Sequence, residues 1–188
     1  MKDLPETIRA FIAVRIPDEV MARLVSVQKQ LRRELEDVSW TRPEAMHVTL
    51  QFLGNVESAR LAELEAALRE AATSTAPFGV ELAGLGSFSH RVLWAGIVGG
   101  AEQLTTLANT LRSAAKGLAG HEEERAFSAH VTLGRCRRPM PGIARTLQLA
   151  GTPQFGGWRV EHFELIRSEL LPQGARYTTL RVFPFGTA

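Results

Sequence analysis

His47-Val48-Thr49-Leu50 and His130-Val131-Thr132-Leu133 are the same four residues, separated by 83 positions (130 − 47 = 83). The offset holds outside the tetrapeptide as well. It lays Ala10-Phe11-Ile12-Ala13-Val14-Arg15-Ile16 over Leu93-Trp94-Ala95-Gly96-Ile97-Val98-Gly99, two short runs of apolar and small residues that read as strands buried on both faces. Each run precedes a helical pattern: Val20, Leu24, Val27, Leu31 and Leu35 in the first copy, and Leu104, Leu107, Leu111, Ala115 and Leu118 in the second. Asp18 and Gly100 stand where each helix should start. Further on, Val80-Glu81-Leu82 lies over Phe163-Glu164-Leu165, and Trp94 over Tyr177. An offset shared by strand, helix and tetrapeptide indicates duplication.

The pattern predicts strands near 8–16, 47–53, 78–87, 92–98, 130–136, 158–169 and 176–183. Helices are predicted near 18–37, 57–73 and 101–118, with a short one near 143–149. Two copies are too few for a solenoid. The expected architecture is an α+β, bilobal, pseudo-twofold fold in which antiparallel sheets line a central cleft and the helices lie outside. No Ser/Gly/Pro-rich spacer separates the copies, so residues 1–188 are expected to form one two-lobed domain.

Composition narrows the function classes. The 188 residues are 45% hydrophobic and 22% charged, an ordinary globular balance that excludes a disordered or collagen-like chain. Apolar runs such as Val92–Val98 are far too short to cross a bilayer, and no membrane association is expected. Met1 to Glu6 contains an early acid and no apolar core of a leader, so the expected location is the cytoplasm. Cys136 is the one cysteine, which excludes an internal disulfide and a multi-cysteine zinc site. A net charge of +2 is too small for a histone-like binder. Few of the cations are Lys, however, and the planar fork of Arg suits phosphate.

Residues i and i+2 of a strand face the same way. His47 therefore shares a face with Thr49, and His130 with Thr132, while the intervening apolar residues turn to the opposite side. A twofold axis would bring both polar faces to one cleft. Imidazole titrates near 6.5, so one ring can be neutral and its twin protonated near neutral pH, an acid and a base in one site. Phosphodiester cleavage uses both, and Thr hydroxyls can donate to the non-bridging oxygens where charge gathers. One His-Val-Thr-Leu alone reads more readily as half-buried strand, where His and Thr are common. Two identical copies at the offset of a wider repeat favour chemistry, because repeated core positions ordinarily keep only their apolar character.

The paired H-x-T-hydrophobic signature resembles the two-histidine phosphoesterase superfamily, and within it the RNA 2′,3′-cyclic phosphodiesterase (2′-5′ RNA ligase) family. The resemblance runs over nearly the whole chain. It takes in Arg9-Ala10-Phe11-Ile12-Ala13, Pro17, Trp40, Met46 to Gly54, Gly86-Ser87-Phe88, Trp94-Ala95-Gly96, Phe127 to Arg135, Ser168 to Leu171, Gly174 and Tyr177. Ala129 departs from the Pro that the family often places before the second His, which touches strand entry and not chemistry. The resemblance implies opening of an RNA terminal 2′,3′-cyclic phosphate to a 2′-phosphate without metal or cofactor. By position, His47 would be the proton donor to the leaving 3′-oxygen and His130 the proton acceptor that activates water. Thr49 and Thr132 would bind phosphate, and Phe52 and Arg135 the nucleotide. Phe52 and Arg135 also occupy one place in the repeat (135 − 52 = 83): an aromatic face can stack a base and an Arg can hold phosphate or ribose oxygens. Core packing for Phe52 and a solvated strand end for Arg135 are the plainer alternatives.

The expected partners are RNA ends or small nucleotides bearing the cyclic phosphate, with the protein a monomer. Two other functions use the same residues: 2′-5′ joining of tRNA halves, or nucleotide binding without catalysis. His90, beside Arg91, could reach the rim of the cleft. Arg137 and Arg138 could extend a phosphate track or form a soluble edge, and Cys136 could be activated among these guanidiniums. Glu122-Glu123-Glu124 reads as a solvated loop. His90, His121 and His162 lack metal-ligand spacing.

Overall fold

In the computed structural model, residues 5–121, 125–172 and 174–186 are described; Met1–Leu4 and Glu122-Glu123-Glu124 lie outside them. The described residues form nine strands and four α-helices. In chain order these are β1 (Thr7–Arg15), α1 (Asp18–Leu31), β2 (Val38–Trp40), β3 (His47–Glu57), α2 (Leu61–Thr73), β4 (Phe78–Phe88), β5 (Val92–Gly99), α3 (Ala101–Ala114), β6 (His130–Cys136), α4 (Ile143–Leu149), β7 (Gln154–Val160), β8 (His162–Leu171) and β9 (Gly174–Pro184). The sheet is antiparallel throughout, in the order β7-β4-β5-β6-β3-β1-β8-β9, with β2 added beside the end of β6. That order is a palindrome about the β6/β3 junction: β6 answers β3, β5 answers β1 and β4 answers β8. The two expected sheets are thus halves of one sheet, joined through a single ladder pair, Val48 with Val131.

Pleat alternation decides which face does what. On β1, Ile8, Ala10, Ile12 and Val14 belong to the main core with Leu24 of α1, Leu64 of α2, Leu104 of α3 and Ile143 of α4. Phe11 and Ala13 project to the other face, where they meet Ile166 and Tyr177. All four helices therefore pack on one face and leave the opposite face open. Gly100 begins α3 at φ +77, where a Cβ would collide with the carbonyl oxygen of Gly79. Asp18 is not a cap: Pro17 holds the N-cap position of α1, and Asp18 places its charge in the first turn, where it favours the helix dipole.

Several sequence expectations need adjustment. The run 158–169 is two strands, β7 beside β4 and β8 beside β1, parted at Glu161 without any Gly or Pro to mark the break. β3 extends through Glu57, a single 3₁₀ turn follows, and α2 begins only at Leu61. α1 stops at Leu31 although Leu35 beyond it is still buried. Tyr177 lies on β9, which pairs with β8 alone, so it is not the spatial counterpart of Trp94 on β5 between β4 and β6.

The copies also differ in register. Ile12 stands opposite Gln51 and Ala13 opposite Thr49, so Leu50 bulges out of the β1/β3 ladder. Leu93 stands opposite Gly134 and Trp94 opposite Thr132, so Leu133 bulges in the same way from β5/β6. The bulges keep the 83-residue offset (133 − 50 = 83), but Ile12 then corresponds to Leu93, an offset of 81. A shift of two preserves the face of every side chain, so apolar patterning alone could not distinguish 81 from 83.

Candidate active site

β3 and β6 meet with Val48 and Val131 turned to the core, which sends His47, Thr49, His130 and Thr132 to the open face. Antiparallel counting from that pair sets His47 across from Thr132 and Thr49 across from His130. The twin tetrapeptides thus form a square with His and Thr at alternating corners. A cavity of about 1350 Å³ lies over it, and His47, Thr49, Phe52, His130, Thr132 and Arg135 all line it.

Plain alternation would bury Phe52, five residues past His47. The bulge at Leu50 shifts the phase, so Phe52 pairs with Phe11 on the cavity face and is 45% exposed, its ring 6.3 Å from that of Phe11. The bulge at Leu133 turns Arg135 to the cavity likewise, opposite Val92. Gln28 of α1 pins this second bulge: its Nε2 donates to the carbonyls of Leu133 (3.0 Å) and Thr41 (2.8 Å).

The environments of the two rings differ. His47 stacks on Phe11 at 4.8 Å and meets the edge of Tyr177 at 5.5 Å. Its cross-strand neighbour is Arg15, which donates to the buried Glu164 at 3.0 Å; Thr179 completes the cluster with a 2.7 Å bond to the same carboxylate oxygen. Burial lowers the His47 pKa from 6.5 to about 4, aided by Arg15 and His130 and opposed by the Ala45 backbone and Glu164. Although Ala45 lies near enough to favour the charged ring, the buried Nδ1 of His47 makes no hydrogen bond of ordinary geometry. His130 packs edge-on against Phe88 at 4.9 Å, and its cross-strand neighbour is Gly96. Its Nδ1 donates to the Ser128 carbonyl at 2.7 Å, leaving Nε2 with its lone pair. Burial lowers its pKa as well, with Arg135 adding to the effect and the Ser128 bond opposing it. Both rings are therefore chiefly neutral at pH 7 in the free protein, which corrects the expectation of one neutral and one charged ring.

Sequence reasoning did not single out Arg15, Glu164, Phe11, Phe88 or Tyr177 as parts of the site. The available signal was asymmetry, because Arg15 faces the first His where Gly96 faces the second. Gly86 supports Phe88 indirectly: a Cβ there would overlap the ring of Trp94, which lies 5.3 Å from Phe88. His90 is exposed at φ +53 and lies outside the cavity, whereas its neighbours Ser89 and Arg91 line it. Arg137 and Arg138 are exposed and do not line it. Cys136 is buried, and desolvation and Asp37 push its thiol up against the pull of Arg91, so it is not activated. Among the described residues no three His, Cys, Asp or Glu side chains gather into a metal-ligating group, and no helix is long and apolar enough to cross a membrane.

Comparison with known proteins places this geometry in context. The RNA 2′,3′-cyclic phosphodiesterase of Archaeoglobus fulgidus is 36% identical over 93% of this chain and 99% of its own. The crystal structure of TT0787 of Thermus thermophilus superposes with a TM-score of 0.79 at 33% identity, covering 96% of this chain and 99% of that one. Escherichia coli LigT in its apo form gives 0.75 at 25% identity, covering 97% and 100%. The model of the LigT-like phosphoesterases matches twice, at residues 14–94 and 98–177, once on each copy of the repeat. The chain belongs to the LigT-like phosphoesterase family.

Proposed function

We propose that the protein hydrolyses the 2′,3′-cyclic phosphate at the end of an RNA to a 2′-phosphate, with two histidines and no metal ion. The observation that carries this reading is the convergence of both His-x-Thr pairs on one cavity. It is supported by the relatives that bear the name RNA 2′,3′-cyclic phosphodiesterase.

The cyclic phosphate sits between the rings, and Thr49 and Thr132 donate to its non-bridging oxygens. Nε2 of His130 accepts a proton from water as the water oxygen attacks phosphorus. The bond from phosphorus to the 3′-oxygen breaks in line, and His47 donates a proton to that oxygen. The phosphate anion supplies the negative charge that the free site lacks, raising the pKa of His47 so that it enters the reaction protonated. Phe52 stacks on the base, and Arg135 holds a phosphate or ribose oxygen.

Assay of a cyclic-phosphate oligonucleotide, with the position of the product phosphate determined, tests this directly. His47→Gln and His130→Gln should each remove most turnover, and activity should persist in excess chelator. Full turnover by either variant, or loss of activity on metal removal, would overturn the scheme.

A further inference from the structure

We propose a second phosphate site in the same cavity, at Arg9 and Arg112, which takes the phosphate on the 5′ side of the terminal nucleoside. Resting on the function proposed above, it makes the substrate class RNA chain ends rather than lone nucleoside cyclic phosphates.

The cavity-facing residues of β1 run Arg15, Ala13, Phe11, Arg9, and opposite them stand His47, Thr49, Phe52 and Asn55. Each step of two residues along a strand advances about 6.8 Å. Phosphate chemistry occupies the His47 and Thr49 levels, and the base platform Phe52 is the next. Arg9 and Asn55 come one step later, about 14 Å from the Thr49 level, too far to serve the reacting phosphate. An Arg side chain reaching back along the strand covers about half of that distance, so the Arg9 guanidinium can meet the next phosphate along the chain while the reacting one stays beyond it.

Other residues converge on the same end. The loop after α3 is packed hard onto β3: a Cβ on Gly120 would collide with the backbone of Asn55, and His121 N donates to the Leu53 carbonyl at 3.1 Å. This closure brings His121 to the cavity wall, where Arg112 from the last turn of α3 also lies. Arg112 spends one nitrogen on the Arg125 carbonyl at 3.1 Å, and its buried Nε has no partner. Arg9 is exposed and makes no ion pair or hydrogen bond through its side chain among the described residues. No carboxylate lines the cavity among the described residues. Two guanidiniums and an amide suit a phosphate anion.

The test compares kcat/KM for a nucleoside cyclic phosphate, its 5′-phosphorylated form and a dinucleotide ending in the same group, using the full chain at low salt. The dinucleotide should exceed the nucleoside roughly tenfold, the scale of one charge-assisted phosphate contact. Arg9→Gln and Arg112→Gln should each pull that ratio toward one, whereas Arg138→Gln, outside the cavity, should leave it intact. A 5′-phosphorylated mononucleotide matching the dinucleotide supports recognition of phosphate. One no better than the bare nucleoside overturns it in favour of contacts to the second base. The proposal also fails if the ratio is near one in the natural protein or survives both substitutions. Calorimetric titration with the corresponding 2′-phosphate products gives the same ratios as Kd values without turnover, so failure of catalysis and failure of this site remain distinguishable. The slope of log Kd against log salt should fall by about one in each variant.

Discussion

Replacing His47 by Gln should flatten the acid sensitivity of folding. The ring titrates near 6.5 in the unfolded chain and at about 4 in the folded one. Between those values the unfolded state binds the extra proton, so the contribution is fully present above pH 6.5 and is lost as pH falls toward 4. At about 1.4 kcal/mol per pKa unit the whole span is worth about 3 kcal/mol. Between pH 7 and pH 5 the linkage relation gives a loss of about 2 kcal/mol attributable to this one ring. Urea denaturation at both pH values, in the natural protein and in His47→Gln, measures it. His130 and the carboxylates titrate in both proteins, and any pH-independent effect of the Gln cancels in the difference of differences. The natural protein should lose about 2 kcal/mol more than the variant on acidification. Parallel losses would refute the inference that His47 is held neutral by burial beside Arg15.

Other outcomes follow from the same geometry. The pH profile of kcat/KM, which reports the free protein, should be a bell with its acid limb near 4 and its alkaline limb beginning below 6.5; a profile flat to pH 8 would contradict the lowered pKa values of both rings. Glu164→Gln should lower the His47 pKa still further, since it removes the charge that offsets Arg15, and the shift is measurable by NMR titration of the ring. Gln28→Leu should cost about 1–3 kcal/mol in thermal or urea unfolding, because it strips a donor from the buried carbonyls of Thr41 and Leu133. Gly86→Ala should cost about 1–3 kcal/mol by forcing Trp94 aside, and should reduce kcat by displacing Phe88 from His130; unchanged near-ultraviolet dichroism with full kcat would count against that route.

Much of this was legible before any coordinates, for a physical reason. Duplication compares a sequence with itself, so a position that keeps His or Thr in both copies stands out from positions that keep only apolarity. The six candidate residues therefore all reach one cavity. The features that escaped are those that leave no periodic trace. The bulges at Leu50 and Leu133 decide whether Phe52 and Arg135 face the cavity or the core, yet a Leu in a bulge reads like a Leu in a ladder. Glu161 separates two strands that lie in different halves of the sheet, and a lone Glu is no break signal. The polar cluster that Arg15 and Thr179 form on the buried Glu164 joins residues far apart in the chain, which no local pattern links.

In the proposed reaction duplication supplies two equal reagents, whereas acid-base catalysis asks for two unequal ones. The inequality therefore has to come from positions at which the copies diverge. Cross-strand from the rings those positions are Arg15 and Gly96: a cation with a buried carboxylate behind it on one side, and no side chain at all on the other. Tyr177 adds a second divergence, because β9 caps the edge beyond β8 while β7, in the mirrored place, meets β4 through Gly156 and Gly157. The strands β3 and β6 hold the two rings in register, and the outer strands set how readily each ring carries a proton. Substitutions on β8 and β9 that never touch substrate should thus move the acid limb of the pH profile. Substitutions at the mirrored positions of β4 and β7 should leave that limb in place.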